Sequence, residues 1–204
     1  MAKLSLLFLL LGSLYAVGQN PPSLDLYTSA TYHFSIAYPA SYDLLEGEGI
    51  LKRTQGKHVG IPVCDLLTVI ACVIYPGDNL QDPSFEAAAF SVNDISKAAT
   101  EQDCLGFADQ LPRPGGEPLA TKPVGLNGQL FRYASTTTTL AGHVQFADRY
   151  RSFHKDRCYE LRIAISFSDV APALSPSKKV LDNEDAKKAR RSLELILSSF
   201  VVAN

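Results

Sequence analysis

LFRYASTTTTLAGHVQFADRYRSFHKDRCYELRIAISFS, residues 130–168, holds three strand-like runs separated by two short breaks. Leu130 to Thr139, His143 to Phe153 and Cys158 to Ser168 are rich in aromatic and β-branched residues, and Ala141-Gly142 and Lys155-Asp156 have the length of two-residue hairpin turns. An antiparallel meander follows. With Lys155-Asp156 as a turn, Tyr150 stands opposite Leu161 and Arg151 opposite Glu160. With Ala141-Gly142 as the other, Tyr133 stands opposite Tyr150 and Arg132 opposite Arg151. Successive side chains of a strand point to opposite faces, so a slip of one residue would exchange the faces. The two registers are set independently, yet they agree. Tyr133, Phe146, Tyr150, Tyr159, Leu161, Ile163 and Ile165 fall on one face, which is the expected core.

The opposite face then carries Arg132, Arg149, Arg151 and Arg162 with Glu160, and Arg149 stands directly across from Arg162. Like charges so placed repel unless something negative compensates. Two readings stay open. One is a solvated face on which Glu160 bridges the arginines. The other is a binding face for an anionic small molecule or an acidic protein partner, since guanidinium groups grip carboxylates and phosphates with two parallel hydrogen bonds. Asp148 is the odd residue of the core face, between Ser135 and Ile163. It is expected to accept a hydrogen bond from a neighbour such as Ser135, to be turned outward by a bulge, or to serve as a general base. His154 and Cys158 flank one turn and are the residue types of a base and a nucleophile, a pairing that a disulfide at Cys158 forbids.

Outward from the meander, Phe34, Ile36 and Tyr38 alternate with Ser35 and Ala37 as in a half-buried strand that Pro39 ends, Glu46 to Gly49 reads as a turn, and a further strand is expected around Ile50 to Arg53. Leu66 to Tyr75 is apolar on both faces and predicts a strand covered on both sides. Asp82-Pro83 predicts a helix start, with Phe85, Ala88, Ala89 and Val92 on one side. Leu111 to Gly128, dense in proline and glycine, predicts a long surface loop. At the end, Asp182 with Asp185 resembles a helix cap, and Ala186, Ala189, Leu193, Ile196 and Leu197 form an apolar stripe that should lie across the sheet.

A chain of 204 residues, 46% hydrophobic and 20% charged, is expected to form one packed core. The net charge of −2 lacks the basic excess that phosphate backbones require, so nucleic acid is not an expected partner. Lys3, the apolar run Leu4 to Leu14 and the small residues Ala16-Val17-Gly18 predict a signal peptide over 1–18, leaving a single domain over 19–204. The run is shorter than the roughly 20 residues of a membrane span. A secreted, extracytoplasmic location is therefore expected. Export gives meaning to Cys64, Cys72, Cys104 and Cys158, because disulfides persist in oxidising compartments. Four cysteines allow three pairings, which the sequence leaves open. Cys64 with Cys72 and Cys104 with Cys158 is preferred, the first because it closes a local loop. No cysteine or histidine spacing suits a metal, and no cofactor motif appears, so neither is expected.

Phe34-Ser35-Ile36-Ala37-Tyr38-Pro39, the meander, and a closing helix running into Ser199-Phe200-Val201 together resemble the PsbP-like fold over roughly 27–201. That family has an antiparallel sheet sandwiched by helices, opening on an aromatic-rich strand that ends in Tyr-Pro and closing on a helix followed by Ser-Phe. The resemblance implies an α+β fold of α/β/α sandwich type, a non-catalytic accessory or binding role, and a periplasmic location as the alternative to a secreted one. The alternative expectation, a small extracytoplasmic hydrolase, rests on Asp148 and the His154/Cys158 pair.

Overall fold

The computed structural model describes residues 23–47, 49, 64, 68–77, 81–95, 100–106, 121–140, 142–168 and 183–203. The leader at 1–18, the strand expected at Ile50 to Arg53, the proline-rich part of the expected loop and Asp182 lie outside the described residues.

The described fold is mostly antiparallel sheet with two helices. In chain order the strands are β1 (Leu24–Ser29), β2 (Phe34–Pro39), β3 (Asp43–Glu46), β4 (Val69–Ile74), β5 (Phe85–Asp94), β6 (Lys122–Leu126), β7 (Gln129–Leu140), β8 (His143–His154), β9 (Arg157–Phe167) and β10 (Val201–Val202). The helices are α1 (Glu101–Leu105) and α2 (Glu184–Ser199). Seven strands form one sheet in the order β3-β4-β5-β9-β8-β7-β6, and a smaller sheet has the order β1-β2-β10.

The meander has the expected registers: Tyr133 opposite Tyr150, Tyr150 opposite Leu161, Arg151 opposite Glu160 and Arg149 opposite Arg162. Lys155 and Asp156 both take positive φ, 47° and 57°, as a two-residue turn matched to strand twist demands. The expected aromatic and aliphatic face is the core. Tyr159, Leu161, Ile163, Ile165 and Phe146 are buried there with Phe34, Phe131 and Phe200.

Helix α2 covers this face with Ala186, Ala189, Leu193, Ile196 and Leu197, the stripe read from the sequence. Its cap is Asn183 rather than Asp182. The Asn183 side chain accepts from the Asp185 and Ala186 N–H groups at 2.7 and 3.3 Å and also donates to Asp82. Asp185 in turn accepts from the Gln81 and Asp82 N–H groups at 2.8 and 2.9 Å. The start of α2 is thereby clasped to the approach of β5. Hydrogen bonds from Ser84 and then Asn183 hold the Asp82 carboxyl below its ordinary value. At the other end of α2, the Ser199 hydroxyl accepts from the Ala37 N–H at 2.8 Å and can return its proton to the Ala37 carbonyl at 3.0 Å. Phe200 then stacks on Phe34, which gives the Ser-Phe ending a physical role: it docks the helix on β2.

Two expectations are corrected. Phe85 to Val92 is not a helix but β5, between β4 and β9. Its alanines fit a helical stripe, but they also suit a strand hidden on both faces, with Ala88 against the core and Ala89 on the reverse, and packing overrides the weak propensity. Asp82 accepts from the Ser84 N–H and hydroxyl at 2.7 and 2.6 Å, closing a turn rather than capping a helix. The end of the expected loop is also strand: β6 pairs with β7 across Asn127-Gly128, whose φ values of 49° and 78° are those of a tight hairpin turn. The smaller sheet and β3 extend beyond the single strand expected before Glu46.

Candidate functional site

The reverse face of the large sheet is polar. Because β5, β9 and β8 pair in register, Ser91 and Asn93 lie beside Arg162 and Glu160, and these beside Arg149 and Arg151. Strands β8 and β9 present three guanidinium groups and one carboxylate to this side. The Arg151 Nε donates to Glu160 at 2.7 Å, whereas the Arg149 Nε stands 3.6 Å from the other oxygen of that carboxylate, an ion pair too long for a hydrogen bond. Arg162 donates to Gln145, whose amide donates on to Ser166 at 3.1 Å. Asn93 donates to Ser91 and to the Glu160 carbonyl, each at 3.1 Å, and accepts from Thr68 at 3.3 Å.

Glu160 does bridge two arginines, as one reading expected, but the face is not solvated. Glu160 is 4% exposed, Arg151 7% and Arg162 9%. Both disulfides lie on this side. Cys104 of α1 is bonded to Cys158, which shares the face of Glu160, and Cys64 is bonded to Cys72 of β4. These are the preferred pairings. The first ties α1 against the arginine-bearing side; the second makes a small apolar cluster with Ala89, Leu45, Val69 and Ile74. Of the expected binding residues, Arg132 is exposed, Arg149 is partly exposed, and Arg151, Glu160 and Arg162 are enclosed. The Arg149 Nε is buried and has no hydrogen-bond partner among the described residues.

Asp148 is buried on the core side, between Ser135 and Ile163 as expected. Its partners are not Ser135, however, but the Tyr133 hydroxyl at 2.8 Å and Arg190 of α2. Ser135 lies nearer along the strands, but a buried carboxylate gains more from a guanidinium and a phenol that can both reach it from the helix side. Arg190 also faces Glu194 at 3.5 Å. Burial, and then donation to Asp148, pushes the Tyr133 hydroxyl up to about 12, and burial raises that of Tyr150 as well. With both oxygens engaged, Asp148 anchors α2.

The His154/Cys158 pair is undone. Cys158 is bonded to Cys104, so no thiol is present, and the strand alternation puts the two side chains on opposite faces. No group of histidine, cysteine, aspartate or glutamate side chains among the described residues is arranged to hold a metal ion. Among those residues, no helix is long and apolar enough to cross a membrane.

Sequence reasoning missed Gln145, Asn93 and Arg190. Gln145 shares the parity of Arg149 and Arg151, and Arg190 flanks the apolar stripe of α2, so both left a signal. Asn93 was hidden by the helical reading of its strand.

No protein-family model matches this chain, and no curated protein does. Solved structures do. The chain is similar to a crystal structure from Bacteroides thetaiotaomicron VPI-5482, with TM-score 0.46 and 9% identity over 88% of this chain and 48% of that one. It is similar to the solution structure of cyanobacterial PsbP (CyanoP) from Synechocystis sp. PCC 6803, with TM-score 0.43 and 14% identity over 94% and 98%. It is also similar to the Ran-binding protein Mog1p of Saccharomyces cerevisiae, with TM-score 0.40 and 10% identity over 90% and 97%. A PsbP structure thus stands among the neighbours, as the sequence resemblance anticipated. This chain spans about half the length of the Bacteroides structure.

Proposed function

We propose that this chain is an exported, non-catalytic binding or accessory domain that takes a carboxylate or phosphate group at the Arg132–Arg149 margin of its polar face. The observation that carries the reading is Arg149: a partly exposed guanidinium whose Nε is buried without a hydrogen-bond partner among the described residues, beside the exposed Arg132. A buried donor left unmade costs free energy that an incoming anion would recover, and a guanidinium is the natural host for a planar anion. On β7 the small Ala134 stands directly across from Arg149, and Arg132 is the next residue of β7 on the same face.

Secretion or periplasmic residence is the matching compartment. Two disulfides within 204 residues suit an oxidising environment, and a leader-like segment opens the sequence. The α/β/α sandwich is supported by α2 on the core face and by α1 tied through Cys104 to the reverse face.

Calorimetric titration with inorganic phosphate, citrate and a short polyglutamate peptide tests the reading. Binding of one of these, weakened at least about tenfold in Arg132→Ala/Arg149→Ala at an unchanged melting temperature, is the expected result. No binding by the parent protein, or equal binding by the variant, would sink it.

A further inference from the structure

Strand β7 has two halves with different neighbours. On one side it pairs with β8 along its length, from Arg132 opposite Arg151 to Leu140 opposite His143. On the other, β6 pairs only with Gln129 to Tyr133. From Ala134 to Leu140 the outer edge pairs with no strand among the described residues. Ala134 is buried and Thr136 partly so, whereas Ser135 and Thr137 to Leu140 are exposed, with Leu140 at 62%.

An open edge is a template for another strand, and proteins ordinarily blunt such edges with charge, proline or a bulge. Three of the other edge strands here do so, and the fourth, β10, is only two residues long. Strand β3 has Asp43 and Glu46, β6 has Lys122 and Pro123, and β1 has Asp25. The run Ala134-Ser135-Thr136-Thr137-Thr138-Thr139-Leu140 has no charge and no proline, and four β-branched residues in succession favour the extended backbone. Nothing in it repels a like edge.

We propose that this edge pairs with the same edge of a second copy of the chain, antiparallel and centred on Thr137, joining two seven-stranded sheets into one. The register follows from the sequence. Thr137 meets its symmetry mate, Thr136 meets the partner's Thr138, Ser135 meets the partner's Thr139, and Ala134 meets the partner's Leu140. Threonine and serine pairs across strands are favourable, and Arg132 falls outside the paired run, so no like charges meet. The contact is isologous, which closes at a dimer rather than growing into a filament. It does not depend on the anion-binding reading.

Sedimentation velocity of the intact disulfide-bonded protein, from about 1 to about 100 µM, is the test. A monomer–dimer transition is expected in the parent. Thr137→Lys and Thr137→Glu, each placing like charges face to face at the two-fold axis, are expected to weaken the dimer at least about tenfold. An equimolar mixture of the two variants is expected to restore it as a mixed dimer, which misfolding could not do. A parent that stays monomeric across the range, or variants that dimerise as well as the parent, would overturn the proposal.

Discussion

The two faces of the large sheet are built from alternate residues of the same strands and are held in opposite ways. On the core face, Leu161, Ile163 and Ile165 meet the apolar stripe of α2, and removal of that surface from water secures the contact. On the reverse face, Glu160 and Arg162 occupy the intervening positions of β9, and such groups give little apolar area to bury. There the covalent links Cys104–Cys158 and Cys64–Cys72 tie other segments to the sheet. One face selects its cover by hydrophobicity. The other has its cover stapled on.

That contrast is sharpest under loss of the staples. Cys104 and Cys158 are 54 residues apart and Cys64 and Cys72 only 8. If the links act by restricting the unfolded chain, Cys104→Ala/Cys158→Ala should lose about 4 kcal/mol and Cys64→Ala/Cys72→Ala about 2.5 kcal/mol, read by denaturant unfolding. Equal losses would argue that strain or packing, rather than loop closure, sets the contribution.

The core face has one polar insertion, Asp148 with Tyr133 and Arg190. Asp148→Asn is expected to cost about 1–2 kcal/mol, less than a fully enclosed ion pair because Arg190 remains partly exposed. The same change should lower the Tyr133 hydroxyl from about 12 towards its ordinary value, seen by ultraviolet titration of tyrosinate. The sign for stability follows. Tyr133 ionises at higher pH folded than unfolded, so its contribution is intact below pH of about 10 and is lost as pH rises towards 12. The Asp148 variant should therefore be less stable than its parent at neutral pH but lose less further stability between about pH 10 and 12. A tyrosinate titration identical to that of the parent would remove Asp148 from the account.

The smallest effect concerns the clasp between α2 and β5. Asn183→Ala removes the cap of α2 and should cost about 1 kcal/mol in thermal or denaturant unfolding. No change would mean that Asp185, through the Gln81 and Asp82 N–H groups, holds the helix start by itself.

Much of this fold was legible because its main strands alternate strictly. Two hairpin registers chosen separately placed the same aromatic residues on one side, and both hold. The stripe of α2 was equally plain, since five apolar positions recur at helical spacing. Strand β5 was misread because alanine fits either period, and its place between two buried strands is a tertiary fact. Strand β6 was lost in a segment rich in proline and glycine, although Asn127-Gly128 announced a hairpin. At the candidate site, the arginines and Glu160 were correctly gathered on one side. Their enclosure was not legible, because α1 is tied there by a bond between residues distant in sequence. Asp148 was found as an anomaly, but Arg190 approaches it from a different element.

The reverse face is an enclosed polar layer organised around Glu160, and it weighs on stability as the core face does. The unfolding free energies of Glu160→Gln and Leu193→Ala, disulfides intact, decide whether it does. Removing the one carboxylate that β8 and β9 present among their guanidinium groups should cost about 3 kcal/mol, as should the cavity left by Leu193. A Glu160→Gln protein within about 0.5 kcal/mol of its parent, while Leu193→Ala falls as expected, would contradict the account.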